Sequence, residues 1–212
     1  MTPRFAAAVD PVFRQGLVLL ERIQRGDALN PREEQQQLLA CLEQGSIVAG
    51  ASREWDLAQY ALVSWLDELL VDTPWNVQDW WSNNVLEIAL YQTRDCHERF
   101  YLQAAQAAET QRRDALQIYH DCVVLGFRGL YRQSVHTAEL TRRHSLPPTV
   151  AEWLRRTQLS IRIGEDRRPL SGAVRAVQGA RPLTASVQAV WAWTAAALLL
   201  AVNLVCYRLW LT

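Results

Sequence analysis

The chain is 212 residues long and half hydrophobic, and its 22 basic residues balance 22 acidic ones to a formal net charge of zero. A chain of this length can bury a sizeable core without disulfides or metal ions. The neutral balance does not suit a nucleic-acid-binding domain, which is normally clearly basic. Every basic residue is arginine, which excludes mechanisms that need a Schiff-base or P-loop lysine.

The cysteines and the amino-terminal residues indicate the cellular compartment in which the protein is located. Cysteines occur at positions 41, 96, 122 and 206 without a CxxC pair. This usage is typical of a reducing compartment and not of a disulfide framework. Residues 1–10 carry neither the apolar segment nor the small-residue cleavage site of a signal peptide. We therefore expect the bulk of the protein not to be exported by that route.

Helical periodicity dominates the first third of the chain. Each of the first three predicted helices has a start signal in the sequence, which is an Asp-Pro pair, an Asn-Pro pair or a serine N-cap. These helices are predicted to cover residues 11–25, 31–49 and 53–72. The Thr73-Pro74 pair ends the third helix, and a tryptophan-rich corner follows it.

The rest of the soluble part is predicted to form shorter helices. They cover residues 86–91, 96–108 and 114–125, and a last helix begins at Pro147-Pro148. Alternating strand patterns are absent. The sequence therefore predicts an all-α domain of six to eight helices over residues 1–163. A linker rich in arginine, glycine, proline and serine follows over residues 164–188.

Residues 189–207 carry no charge and consist largely of alanine, leucine, valine and tryptophan. Extended to Trp210, this run makes a helix about 33 Å long, which matches a hydrocarbon core of about 30 Å. We predict one C-terminal transmembrane helix over residues 189–211. The alternative is a buried core helix of a soluble domain, although core helices rarely run this long without a charge.

Aromatic and basic residues flank this predicted span. Four aromatic residues and one arginine are candidate anchors at the two membrane interfaces: Trp191, Trp193, Tyr207, Arg208 and Trp210. Between positions 142 and 181 nine arginines stand against three acids. Because positively charged flanks stay inside, we expect the N-terminal domain to be cytoplasmic, with almost nothing on the far side of the bilayer.

Asp67 and Glu68 are adjacent on the third helix, and Asp72 follows one turn after Glu68. Three carboxylates near one helix C-terminus are unfavourable, because like charges repel and the dipole end is already negative. They could form a solvated or arginine-paired face, a docking patch for a basic partner, or an acid–base pair. The acid–base pair needs a cleft and polar groups from a second helix, which the sequence does not show. We take the three as partner-docking candidates.

Other polar residues do not form a recognisable site. His120, Asp121 and Cys122 point about 100° apart on a helix, so they cannot share one metal ion. Gly126 and Gly129 bracket a loop without a GxxxxGK[ST] motif or a preceding strand. We predict a helix stop there, with the glycines at positive φ. The sequence thus predicts no metal ion, no cofactor and no catalytic site.

Three blocks of sequence resemble the DotU/TssL family. Residues 61–68 with Thr73-Pro74-Trp75 are similar to the family's "DE…TPW" signature, and Glu98-Arg99-Phe100-Tyr101 is similar to its "ERFF" element. Residues 115–132, which end in Leu-Gly-Phe-Arg-Gly-Leu-Tyr-Arg, resemble a third element. The blocks occur in the family's order, and the resemblance covers roughly residues 10–211. Residues 92–97 depart from it, because the family usually has a glycine-rich turn there.

The resemblance implies a non-enzymatic scaffold of the type VI secretion system in the bacterial inner membrane, with a cytoplasmic domain of two packed helical bundles. The implied partners are an IcmF-like TssM, the lipoprotein TssJ by an indirect route, baseplate subunits such as TssK and TssE, a second copy of the chain, and the lipid bilayer. Without a peptidoglycan-binding domain after the span, the extended subtype is not expected. The alternatives are a DotU-like subunit of a type IVB system and a tail-anchored signalling regulator or enzyme.

Overall fold

The computed structural model describes residues 1–132, 134–164 and 193–194. The chain divides into two units, Met1–Asp166 and Arg167–Thr212. The described part of the first unit contains helices and no strand, which confirms the all-α prediction in that part of the chain. Its elements are α1 (Pro3–Gln24), α2 (Pro31–Ala49), α3 (Arg53–Asp72), α4 (Gln78–Asn83), α5 (Leu86–Tyr91), α6 (Cys96–Ala108), α7 (Asp114–Val124), a 3₁₀ turn (Gly129–Arg132), α8 (Ser134–Arg143) and α9 (Val150–Gly164).

The predicted starts of α2 and α3 are confirmed by their caps. The Asn30 side chain accepts a hydrogen bond from the backbone N–H of Arg32 at 3.2 Å, and Ser52 Oγ accepts one from the N–H of Trp55 at 3.2 Å. Such caps satisfy N–H groups that have no partner within a helix. The Thr73-Pro74 pair ends α3 as predicted.

The predicted start of α1 at Asp10-Pro11 is wrong. The helix begins at Pro3, with Thr2 as its N-cap residue, and Pro11 lies inside it. A proline within a helix removes one backbone hydrogen bond. Here Phe5, Val9 and Val12 are buried on the same face, so the packing of that face offsets the loss.

Helix α3 is the centre of the first unit. Trp55, Leu62 and Leu66 are at most 1% exposed, and α3 contacts α1, α2 and α4 to α7. Helices α1 and α2 pair closely with each other, while α9 packs on α6 and α7. Because α3 contacts helices of both groups, the division into two bundles stays a prediction.

Close packing between helices depends on two glycines. A Cβ atom at Gly45 would lie 2.4 Å from the ring of Trp55 and 2.8 Å from the carbonyl oxygen of Ala8. A Cβ atom at Gly16 would lie 2.7 Å from a methyl carbon of Leu66. These distances are shorter than van der Waals contact. The backbone of each glycine therefore packs directly against a side chain of α3, and a larger residue would not fit at either position.

An aromatic cluster forms the core between α6, α7 and the glycine-bounded loop. The rings of Phe100 and Phe127 stack with their centroids 4.0 Å apart. Tyr119 meets Phe100 edge-on at 4.7 Å, and Trp153 of α9 meets Tyr101 edge-on at 5.2 Å. Such pairs add to the free energy gained from burying the rings. The cluster therefore holds α9 and the loop against α6.

Candidate functional site

Asp67 caps a helix that follows later in the chain. Its side chain is buried at 3% exposure, and its two oxygens accept hydrogen bonds from the backbone N–H groups of Leu86 and Glu87, each at 2.8 Å. These N–H groups lie in the first turn of α5 and have no partner within that helix. Burial raises the pKa of Asp67 to about 7, although the two backbone hydrogen bonds act in the opposite direction.

Glu68 points to a different element from its neighbour. Its carboxylate accepts hydrogen bonds from the backbone N–H groups of Arg128 at 2.6 Å and Gly129 at 2.8 Å. The predicted positive φ at the loop glycines is confirmed, at +117° for Gly126 and +50° for Gly129. A Cβ atom at Gly129 would also lie 2.9 Å from the carbonyl oxygen of His97. The loop thus binds an anion, which is the protein's own glutamate. Burial raises the pKa of Glu68.

Glu87 is the most enclosed of these acids, at 1% exposure. It accepts hydrogen bonds from the hydroxyl groups of Tyr60 at 2.7 Å and Thr93 at 3.0 Å. The backbone N–H groups of Asp95 and Cys96 each donate to it at 3.1 Å. The carboxylate therefore holds the start of α6 against α3 and α5. Burial and the Glu87 carboxylate raise the pKa of the Tyr60 hydroxyl.

Two further acids connect the amino terminus to α3 and α7. Asp114 accepts hydrogen bonds from the backbone N–H of Thr2 at 3.0 Å and from its hydroxyl at 2.7 Å. The N–H of Asp114 in turn donates to Glu54 of α3 at 2.9 Å. We call Glu54, Asp67, Glu68, Glu87 and Asp114 the carboxylate network. Each member accepts hydrogen bonds from backbone N–H groups at the start of another helix or loop, eight or nine residues away for Glu87 and 19 to 112 residues away for the other four.

The carboxylate network has a structural role. Asp67 and Glu68 both line a small cavity of about 110 Å³, but the oxygens of each carboxylate already accept hydrogen bonds from backbone N–H groups of a different segment. The geometry therefore does not support the acid–base interpretation. Nor is their face solvated, because both side chains are buried. In the part of the chain that the structure describes, no three His, Cys, Asp or Glu side chains converge as metal ligands.

Asp72 differs from the two acids that precede it. Its side chain is 33% exposed and forms an ion pair with Arg132. It lies at a cleft of about 570 Å³, which α1, α3 and the loop after α7 enclose. Apolar and acidic side chains share the lining: Leu20, Ile23, Leu69, Leu125, Phe127, Glu68 and Asp72. Of the three docking candidates, Asp72 is the one with an exposed carboxylate, and the docking role of all three stays a prediction.

The predicted membrane anchors fall almost entirely outside the described residues. Trp191, Tyr207, Arg208 and Trp210 are not described, whereas Trp193 is helical and 77% exposed. The predicted span over 189–211 is thus described only at residues 193–194. No helix among the described residues has the length and apolar character needed to cross a bilayer.

The helical fold and the internally paired acids define a structural domain, and comparison with known proteins assigns its family. The chain belongs to the family described as type VI secretion system protein DotU, whose model matches residues 4–210. This family is a structural component of that secretion system, and the chain is accordingly a type VI secretion subunit. No curated protein matches the chain.

Solved structures show the same fold. The cytoplasmic domain of TssL from Acinetobacter baumannii matches with a TM-score of 0.57 at 20% identity, and the match covers 74% of this chain and 98% of that one. The SciP/TssL crystal structure from enteroaggregative Escherichia coli 042 matches with a TM-score of 0.47 at 18% identity, over 68% and 90% of the two chains. The first likeness supports the family assignment at the level of the fold.

Proposed function

We propose that the chain is a membrane-anchored structural subunit that links the transenvelope complex of the type VI secretion system to its cytoplasmic baseplate. The observation that carries this proposal is the family match, because it extends to residue 210 and so includes the uncharged run at 189–207. The arginine-rich flank before this run favours a cytoplasmic position for the helical domain.

The anchor is tested on membranes that contain the full chain. An integral span resists extraction with alkaline carbonate, whereas a peripheral domain is released. We expect the full chain to stay in the membrane pellet and a chain that ends at residue 166 to be released. A reporter fused at residue 1 is expected to remain cytoplasmic. Release of the full chain, or export of the reporter, would contradict the anchor.

The partners in this proposal meet the cytoplasmic domain at the cleft beside Asp72. They are an IcmF-like TssM and the baseplate subunits TssK and TssE, with TssJ reached indirectly and a second copy of the chain as a further partner. An apolar lining with an acidic edge suits a partner segment that carries apolar and basic residues. Leu125 is 41% exposed there and offers apolar area to such a segment.

Asp72 allows a cleaner test of docking than Asp67 or Glu68. Charge reversal of the two buried acids would remove the cap of α5 and the acceptor that holds the loop after α7, so a loss of partner binding would not separate docking from folding. The change Asp72→Asn keeps the side-chain size and removes one exposed charge. Asp79→Asn is the matched control, since Asp79 is also an exposed acid near the end of α3.

We expect Asp72→Asn to weaken co-purification with a baseplate or IcmF-like partner, and the loss to be larger at low salt. The control is expected to behave as the wild type. Equal partner recovery with Asp72→Asn, Asp79→Asn and the wild type in low salt would refute docking through this carboxylate. That result would leave the family assignment unaffected, because the assignment rests on the sequence match.

A further inference from the structure

Helix α9 is fixed to the domain by one face. Trp153, Thr157 and Ile161 lie on that face and are 5%, 7% and 9% exposed. Arg113, which precedes α7, donates a hydrogen bond from its guanidinium to the carbonyl oxygen of Ser160 at 2.6 Å. With the ring of Trp153 held against Tyr101 as well, the rotation of α9 about its axis is determined. Its outer face is therefore a defined surface.

The outer face of α9 combines apolar and basic side chains. Leu159 is 50% exposed and Ile163 is 80% exposed, and Arg155 and Arg162 are exposed beside them. The four residues share one face because their spacings from Leu159 are three or four positions. Among the described residues neither arginine has an acidic partner, whereas Arg156 pairs with Glu152. We call these four residues the α9 outer face.

We propose that the α9 outer face binds the surface of an anionic lipid bilayer, with the two arginines at the headgroups and the two aliphatic side chains at the acyl boundary. This inference rests on the proposed membrane anchor. A helix with an apolar stripe flanked by arginines is the type of surface that lies in a bilayer interface. Arginine next to an anionic surface strengthens binding on the order of fivefold per residue.

The chain after α9 favours this occupant. Four more arginines and two acids lie between residue 165 and the uncharged run that starts at residue 189. A tether of this length reaches at most about 85 Å when fully extended. The proposed anchor thus keeps α9 within this distance of the bilayer, which raises the effective concentration of the lipid surface and makes a weak interaction count.

Charge argues against a second copy of the same face. In a two-fold symmetric contact the same patch meets itself. Arg155 and Arg162 of one copy would then lie near those of the other, and like charges in an interface are unfavourable. An anionic lipid surface complements these charges instead.

The test uses residues 1–166, which lack the predicted span. This segment is a compact unit that contains the described core, and its fold matches a cytoplasmic domain that was solved by itself. Binding is measured by flotation with vesicles of phosphatidylcholine alone and of phosphatidylcholine with about 30 mol% phosphatidylglycerol, which supplies the anionic surface. The variants are Arg155→Ala with Arg162→Ala, and Leu159→Ser with Ile163→Ser.

We expect the wild-type segment to bind the anionic vesicles, to bind them less as salt rises, and not to bind phosphatidylcholine alone. The arginine pair of changes should lower the partition coefficient about 25-fold, as two factors of roughly five. The aliphatic pair should lower it at least tenfold, on the order expected when apolar side chains leave the interface. Arg14→Ala with Leu17→Ser on α1 is the matched control, since both residues are exposed there.

Several results would overturn the inference. Failure of the wild-type segment to bind anionic vesicles, equal binding to both vesicle types, or an equal loss in the α1 control would each do so. Concentration-dependent dimers that the aliphatic changes abolish, without vesicle binding, would assign the face to a second copy. Carbonate extraction of the full chain tests the anchor separately, so the two ideas fail independently.

Discussion

Replacement of Asp67 by asparagine should change how the stability of the domain depends on pH. In the wild type, burial raises the pKa of Asp67 from 3.8 to about 7. The folded state therefore binds more protons than the unfolded state between these values. The free energy of unfolding contributed by this group is highest below pH 3.8 and is lost as pH rises through about 7. Asparagine cannot titrate, so the variant lacks this dependence.

The expected size follows from how far burial raises the pKa of Asp67. A pKa difference of one between the folded and unfolded states corresponds to about 1.36 kcal/mol. The rise from 3.8 to about 7 therefore corresponds to roughly 4 kcal/mol between about pH 4 and about pH 8. Glu68 and Asp121 also have raised pKa values owing to burial. Asp67 is not among the causes of either shift, so the two contributions cancel when the variant is subtracted from the wild type.

The free energy of unfolding of residues 1–166 is measured by urea unfolding at about pH 4, 5, 6, 7 and 8, followed by far-UV circular dichroism. We expect the wild type to lose stability relative to Asp67→Asn as pH rises through the series. The exposed change Asp79→Asn should leave the pH dependence of the wild type in place. A wild-type-minus-variant difference that is flat, or that grows with pH, would refute the reasoning.

Three further substitutions test the packing and the network by urea unfolding. Glu68→Ala should cost about 3–5 kcal/mol because two buried N–H groups lose a charged acceptor, and a loss below about 1 kcal/mol would contradict its capping role. Tyr60→Phe should cost about 1–2 kcal/mol because Glu87 loses one of four donors, and an unchanged midpoint would count against it. Gly45→Ala should cost about 1–3 kcal/mol by overpacking against Trp55, and a stabilised variant would show that the corner has room.

The sequence predicted the long helices well because their signals are local. The bounds of α2, α3 and α6 agree with the predictions, and an Asn-Pro pair and a serine cap mark two of the starts. Helices α4 and α8 were not predicted. They are six and ten residues long, and short helices draw their stability from tertiary contacts more than from their own sequence.

The candidate site was predictable only in part. Asp67 and Glu68 are notable in the sequence because adjacent acids near a helix C-terminus need compensation. Their compensating N–H groups lie about 20 and 60 residues away in the chain, and no periodicity reports such a distance. Glu87 carries no signal of its own, since it resembles an ordinary first-turn acid of α5. Its buried position follows from the packing of α3, α5 and α6.

The carboxylate network explains how a domain with many loops can present fixed surfaces. Buried carboxylates are costly to desolvate, and apolar residues of similar size would often give equal or greater stability. What a carboxylate adds is direction, because it accepts hydrogen bonds from particular backbone N–H groups and so fixes the position of a loop. Glu68 fixes the loop whose Leu125 and Phe127 line the cleft. Tyr101 of the aromatic cluster packs its ring against α9 and donates a hydrogen bond to the carbonyl oxygen of Arg128 in that loop at 2.8 Å. The same loop thus positions both the cleft and the outer face of α9. In the role that we propose, which joins a bilayer to a protein assembly, this rigidity keeps the cleft and the outer face of α9 in fixed positions relative to each other.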